Sequence, residues 1–336
     1  MPHSAQLCAD FFLRFNVDMP QSIALYPTVA VIGSGNIGVA FAVVFASARS
    51  QVRLFDPNPH QLESVPGRIA GILSDLESFG LLNDIPDAIS ARITVCSVLA
   101  DAVEGCAYVQ ECAPESRSLK ENLFKELDWL TPADVVLASA SSAMPVSEFT
   151  SHLSGRGRCL VVHPGNPPFL LRVVEVVPAP FTDRAAVDRA VTLLESAGLA
   201  PIMVRKEAKG FVFNRLQGAV LREAYCLVRD GVASVEDIDR LVRDGLGLRW
   251  AVAGPFETAD LNTAGGIARH AERLGPAYAE MGAERGQHDP WTPELVAEVQ
   301  SQRRSLLPLD QWAERVRWRD RSMMLLLAAR RSAKAK

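Results

Sequence analysis

The 336-residue chain has few cysteines, no excess of positive charge and, between Met19 and Ala48, no charged residue at all. Its six cysteines are Cys8, Cys96, Cys106, Cys112, Cys159 and Cys226; no two form a C-x-x-C pair, and none sits beside a histidine in a zinc pattern. That excludes the usual signatures of a zinc site or a redox dithiol, so no metal is expected. It reads instead as reduced, mostly buried thiols of a cytoplasmic protein. With 35 Lys and Arg against 39 Asp and Glu, the net charge is −4. No basic surplus is available to offset phosphates, and nucleic acid is not expected as a partner. A basic region followed by an unbroken apolar run is also missing near the start. Arg14 stands alone, and Asp10, Asn16, Asp18 and Pro20 interrupt the segment, which argues against a secretory signal. Internal repeats and low-complexity segments are absent as well.

What is present is an ordinary globular mixture, 48% apolar and 22% charged. The disordered and fibrous classes are thereby excluded. At roughly 150 residues per domain, the length suggests two domains. The uncharged stretch needs an account, because about 20 apolar residues in a row is the mark of a membrane helix. Here Pro27 and three glycines break the run, and the mean hydropathy is too moderate for further spans. No membrane association is expected.

The same stretch has another reading. Thr28–Ile32 is a short β-branched run, Gly33-Ser-Gly-Asn-Ile-Gly38 follows, and Val39–Ala46 is an apolar segment of helical length. Gln51–Phe55 then reads as a second strand and ends at Asp56. A G-x-G-x-x-G between a strand and a helix, with an acid about 20 residues on, is the dinucleotide-binding arrangement. Gly33 permits the tight turn, Gly35 lets the backbone approach a pyrophosphate, and Gly38 lets helix and strand pack closely. The backbone N–H groups of Asn36 and Ile37 open the helix and face the phosphates. Asp56, 18 residues beyond Gly38, can accept bonds from a ribose 2′-hydroxyl and repel a 2′-phosphate, which favours NAD. Strands buried on both faces explain why charge is missing.

Beyond this unit the alternation continues. A helix is expected over about 60–79 and another over 119–130. Strands are expected at Ile93–Cys96, Tyr108–Cys112, Asp134–Ala138, Cys159–Val162, Arg172–Val177 and Ala200–Val204. After Gly210 only helical patterns follow. Phe211–Arg229 stops at Gly231, and Ser234 caps the next start. The expected fold is therefore α/β, a Rossmann-type doubly wound sheet over 26–205 followed by an all-helical domain over 206–336. Residues 1–25 form an extension with no assignable role, and Met19 is an alternative start. The basic tail from Arg330 to Lys336 reads as a solvated terminus.

Three features past the cofactor motif carry chemistry. Ser139-Ala-Ser-Ser142 follows a strand end, where ligands of open α/β sheets sit, and reads either as hydroxyl donors to a substrate or as a polar turn. His163-Pro-Gly-Asn-Pro-Pro168 also follows a strand, and a lone histidine there is either structural or functional. Glu175 lies inside the apolar run Val173–Val177, where a carboxylate is costly unless paired. His163 is the partner expected for it. Such a pair is a proper general base for oxidising an alcohol: the imidazole takes the proton and the carboxylate orients the ring.

Together with Gln110-Glu-Cys-Ala-Pro-Glu115, Ser141-Ser-Ala-Met-Pro145, Val174-Glu-Val-Val-Pro178, Gly210–Gln217 and Gly245–Arg249, these motifs are specific. The chain resembles the 3-hydroxyacyl-CoA dehydrogenase superfamily, and within it the lambda-crystallin branch, which acts as L-gulonate 3-dehydrogenase. The likeness covers about nine tenths of the chain. It implies that His163 is the catalytic base and Glu175 its partner, and that Ser142 and Asn214 hold the reacting oxygen. It implies further that Asn166 lies near the nicotinamide and that Glu115 and Lys120 contact a cofactor ribose. NAD as cofactor and a homodimer through the helical domain are implied in the same way. From the residues alone, Asn214 is no more than a helix cap.

The substrate class turns on one segment. Where thioester enzymes of the superfamily have a Tyr-Pro-Met-Gly type sequence, this chain has Leu248-Arg-Trp250. An arginine there is similar to the gulonate branch and to L-carnitine dehydrogenases, so a 3-hydroxy acid with a free carboxylate is expected ahead of an acyl-CoA. Arg249 either forks onto that carboxylate or forms a salt bridge at the domain interface. Trp250 is either packing or part of a cation cage. Gly165, where relatives carry a larger residue, is expected to leave the pocket roomier. The alternative to an enzyme is a crystallin-like structural protein, against which the retained His163, Glu175 and Asn214 speak.

Overall fold

A computed structural model describes residues 27–286 and 292–312, together with 314, 315, 318 and 329. The extension over 1–25, with Arg14, Met19 and Cys8, and the basic tail from Arg330 lie outside the described residues.

The chain divides into two compact units, 1–220 and 221–336. In the first, eight strands form one sheet in the order β3-β2-β1-β4-β5-β6-β7-β8. They are β1 Thr28–Ile32, β2 Gln51–Phe55, β3 Ile93–Cys96, β4 Tyr108–Glu111, β5 Val136–Ser139, β6 Cys159–Pro164, β7 Val173–Pro178 and β8 Ala200–Met203. Pairing is parallel except between β6 and β7. The reversal follows from the short 165–172 connection, which is long enough for a turn and too short for a crossover helix.

Burial explains the uncharged run. Val29 and Val31 pack into the core on one face of the sheet, Ala30 and Ile32 into the core on the other. Helix α1, Asn36–Ser47, is buried at every residue from Gly38 to Ala46. A helix apolar all round belongs inside a protein or inside a membrane. At 12 residues it spans about 18 Å, too short for a bilayer. Among the described residues no helix is long and apolar enough to cross a membrane. The expected 60–79 and 119–130 helices are α2, Pro59–Ser78, and α3, Arg117–Leu130. Helix α4, Arg184–Ser196, has no counterpart in the sequence reading.

Helix α5, Phe213–Arg229, contains the division between the units. The boundary expected from sequence, between 205 and 206, falls earlier, in the segment between β8 and α5. The second unit is helical: α6 Val235–Leu241, a π-turn with a short helix through Trp250, α7 Pro255–Leu261, α8 Gly266–Glu284 and α9 Pro293–Leu306. Ser234 caps α6, its side chain accepting from the Asp237 amide. Of the five cysteines described, Cys106 and Cys159 are buried while Cys96, Cys112 and Cys226 are half-buried, a less hidden set than expected. Burial pushes the Cys106 thiol up to about 11 and the Cys159 thiol up to about 12, so both stay protonated and unreactive.

Candidate active site

The site is built where the sheet changes winding direction, between β1 and β4. Ile32 is in register with Glu111, and Glu111 with Ser139. The residues that follow, Gly33, Cys112 and Ala140, therefore leave the sheet side by side at its carboxyl edge, where ligands of such sheets bind.

The glycine turn fits a dinucleotide. Gly33 has φ +104°, and a Cβ there would lie 2.7 Å from the Cys112 carbonyl oxygen. A Cβ on Gly38 would lie 1.8 Å from the Gly33 oxygen. These two glycines are required by the protein itself. A Cβ on Gly35 would meet nothing within 4 Å, so the space beside the turn is open, as a pyrophosphate needs. Asn36 and Ile37 begin α1 beside that space. Asp56 Oδ2 accepts from the Ser34 amide at 2.8 Å and the Ser34 hydroxyl at 3.0 Å, while Oδ1 accepts from the Asn58 amide at 2.9 Å. The half-exposed carboxylate is thus lashed to the turn, with lone pairs left for a ribose.

Lys120 is placed differently from the ribose contact that the resemblance implies. It is 1% exposed, and its Nζ lies 2.8 and 2.9 Å from the two oxygens of Glu111, itself 0% exposed. The Ala113 carbonyl and the Ser139 hydroxyl complete the ammonium's surroundings. A buried ammonium must be partnered within the protein, and this one is. Burial pushes the Glu111 carboxyl above its ordinary value despite the pull of Lys120. Glu115 remains at the exposed edge, where it accepts from the Ser141 hydroxyl and the Ser142 amide.

His163 and Glu175 are directly opposed in the antiparallel β6–β7 ladder, a separation of 12 residues closed by register. His163 Nδ1 lies 2.7 Å from Glu175 Oε2, with the residues 6% and 3% exposed. The other oxygen, Oε1, accepts from the amides of Val212 at 2.6 Å and Phe213 at 3.0 Å. Gly210 and Phe211 both have left-handed φ, +78° and +48°. For phenylalanine that conformation is strained, and it turns the chain so that both amides reach one oxygen. Burial pushes Glu175 up, but the His163 bond and the two amides outweigh it, holding the carboxyl below its ordinary 4.5. The carboxylate stays ionised and fixes the ring, with Phe211 and Phe213 flanking it at centroid distances of 5.8 and 6.2 Å.

Asn214, in the first turn of α5, donates to the Ser142 carbonyl at 2.7 Å, so these two expected partners are brought together. Asn166 is exposed and precedes a cis peptide bond to Pro167. Gly165 leaves no extra room, contrary to expectation, because a Cβ there would lie 2.9 Å from Leu171 Cβ. In the second unit Arg249 and Trp250 line a cavity of about 490 Å³ with Phe256, Asn262, His270 and Tyr278. Arg249 forms no ion pair among the described residues. Sequence reasoning missed the hold of Ser34 on Asp56 and of the Val212 and Phe213 amides on Glu175; backbone donors leave no pattern to find.

Comparison with known proteins identifies the architecture. The family model of the 3-hydroxyacyl-CoA dehydrogenase NAD binding domain matches residues 28–208, and that of the 3-hydroxyacyl-CoA dehydrogenase C-terminal domain matches 210–306. The chain belongs to the 3-hydroxyacyl-CoA dehydrogenase family. Lambda-crystallin of Oryctolagus cuniculus is 36% identical over 310 residues, 90% of this chain and 96% of that protein. L-carnitine dehydrogenase of Streptomyces griseus is 39% identical over 272 residues, 80% and 78% of the two chains. Among solved structures, an NAD-dependent 5-formyl-3-hydroxy-2-methylpyridine 4-carboxylic acid 5-dehydrogenase superposes with TM-score 0.69 at 27% identity, covering 86% of this chain and 98% of that one. As a member of the 3-hydroxyacyl-CoA dehydrogenase family, the protein is an NAD-dependent oxidoreductase.

Proposed function

We propose that the protein oxidises the 3-hydroxyl of a small 3-hydroxy acid bearing a free carboxylate, in the manner of an L-gulonate 3-dehydrogenase. The observation that carries this reading is the His163–Glu175 pair. Glu175 engages Nδ1 and so leaves Nε2 as the nitrogen for the substrate hydroxyl. His163 takes the hydroxyl proton there as the C3–H bond breaks, and Glu175 stabilises the imidazolium that results. Bound NAD supplies the hydride acceptor. Ser142 and Asn214 hold the reacting oxygen, Asn166 borders the nicotinamide, and Glu115 contacts a cofactor ribose. Gly33, Gly35, Asn36, Ile37, Gly38 and Asp56 hold the adenosine diphosphate half. On this reading the catalytic division of labour follows 26–205 for cofactor and 206–336 for substrate and dimer contacts.

Arg249 favours a free acid over a thioester. Its guanidinium is unpaired among the described residues, and no carboxylate lines the cavity it borders. A fork contact to a carboxylate is worth about 1.5–3 kcal/mol. Arg249→Ala should therefore raise the KM for a free acid by about an order of magnitude or more and leave that for a thioester unchanged. The deciding experiment is NADH formation from NAD with L-gulonate, L-carnitine, 3-hydroxybutyrate and 3-hydroxybutyryl-CoA in parallel. Turnover confined to the thioester overturns the free-acid reading.

A further inference from the structure

Arg68 lies in α2, far in sequence from the glycine turn, yet its guanidinium is bonded to it. Nη1 donates to the Ser34 carbonyl at 2.6 Å, and Nη2 to Asn36 Oδ1 at 3.0 Å. Ser34 is therefore gripped twice: Asp56 takes its amide and hydroxyl, and Arg68 its carbonyl. Both acceptors of Arg68 are neutral. No carboxylate pairs with it among the described residues, so its charge is uncompensated although the side chain is half-buried. Two of a guanidinium's five donors are engaged, which leaves three. A fixed, unneutralised cation beside an open anion cradle complements a diphosphate, and the first turn of α1 contains no basic side chain to do so.

We propose that Arg68 is a cofactor-binding residue that contacts the diphosphate of NAD and supplies the positive charge the glycine turn lacks. The test is equilibrium titration of ADP-ribose, ADP and adenosine into the wild type, Arg68→Gln and Arg68→Lys, with melting of the free proteins as a control. Arg68→Gln keeps an amide donor for the turn and removes the charge. It should weaken ADP-ribose and ADP roughly tenfold or more and leave adenosine unchanged, since only the first two present a diphosphate. Arg68→Lys, which keeps the charge, should recover part of that loss, and the wild type's affinity should fall more steeply with salt than that of Arg68→Gln. Equal weakening of adenosine would show that Arg68 only clips α2 to the turn. That result overturns the proposal, as would unchanged ADP-ribose binding or a lysine variant no better than glutamine.

Discussion

At the scale of single residues the proposed proton transfer depends on Glu175 as much as on His163. His163→Gln should lower kcat roughly 10²–10⁴-fold while ADP-ribose binding stays at the wild-type level, because the ring does not touch the glycine turn. Loss of binding in step with kcat would place His163 in cofactor recognition instead. For Glu175 the sign of the pH effect follows from its lowered carboxyl. Folding favours the ionised form, so the stabilisation is complete above the ordinary value of 4.5 and is lost as pH falls through the lower folded value. The stability gap between wild type and Glu175→Gln should be level near neutrality and close below about pH 4.5. A gap that widened in acid would contradict the ionised pair. The two members of this pair were legible in sequence, because an acid in an apolar strand demands a partner. The amides of Val212 and Phe213 were not, since any residue supplies an N–H and only the left-handed Gly210–Phe211 turn aims them.

At the scale of elements, the turn between β1 and α1 separates two uses of glycine. Gly38→Ala drives a methyl into the Gly33 backbone, which cannot retreat because Gly33 itself abuts Cys112. It should destabilise the protein by more than about 2 kcal/mol in denaturant unfolding. Gly35→Ala adds a methyl to open space and should leave stability within about 0.5 kcal/mol. NAD affinity should nonetheless fall at least about tenfold, since the methyl occupies the approach of the pyrophosphate. Equal stability losses in both variants would refute this division. The strand-turn-helix element was fully readable from its glycine spacing and its lack of charge. Helix α4 was not, and neither was the destination of Lys120: a lysine in an amphipathic helix looks solvated until Glu111 and Ser139 are placed beneath it by β-sheet register.

At the scale of the whole molecule, α5 leaves an apolar stripe uncovered among the described residues. None of its side chains is buried, and Leu216, Val220, Leu221, Tyr225 and Val228 are all exposed apolar residues at helical spacing. Exposed apolar stripes of this kind mark association sites. A homodimer in solution is the expected state, with sedimentation giving twice the chain mass and Leu221→Asp with Tyr225→Asp giving the single-chain mass. A monomeric wild type would refute it.

The antiparallel β6–β7 pairing has a consequence for how such an enzyme diversifies. The separation of His163 and Glu175 is set by ladder register and not by the connection between them. The 165–172 segment need only close the turn, and side chains within it can change without moving the His163–Glu175 pair. The pairing of His163 with Glu175 is thus inherited with the two strands and not with the turn that joins them.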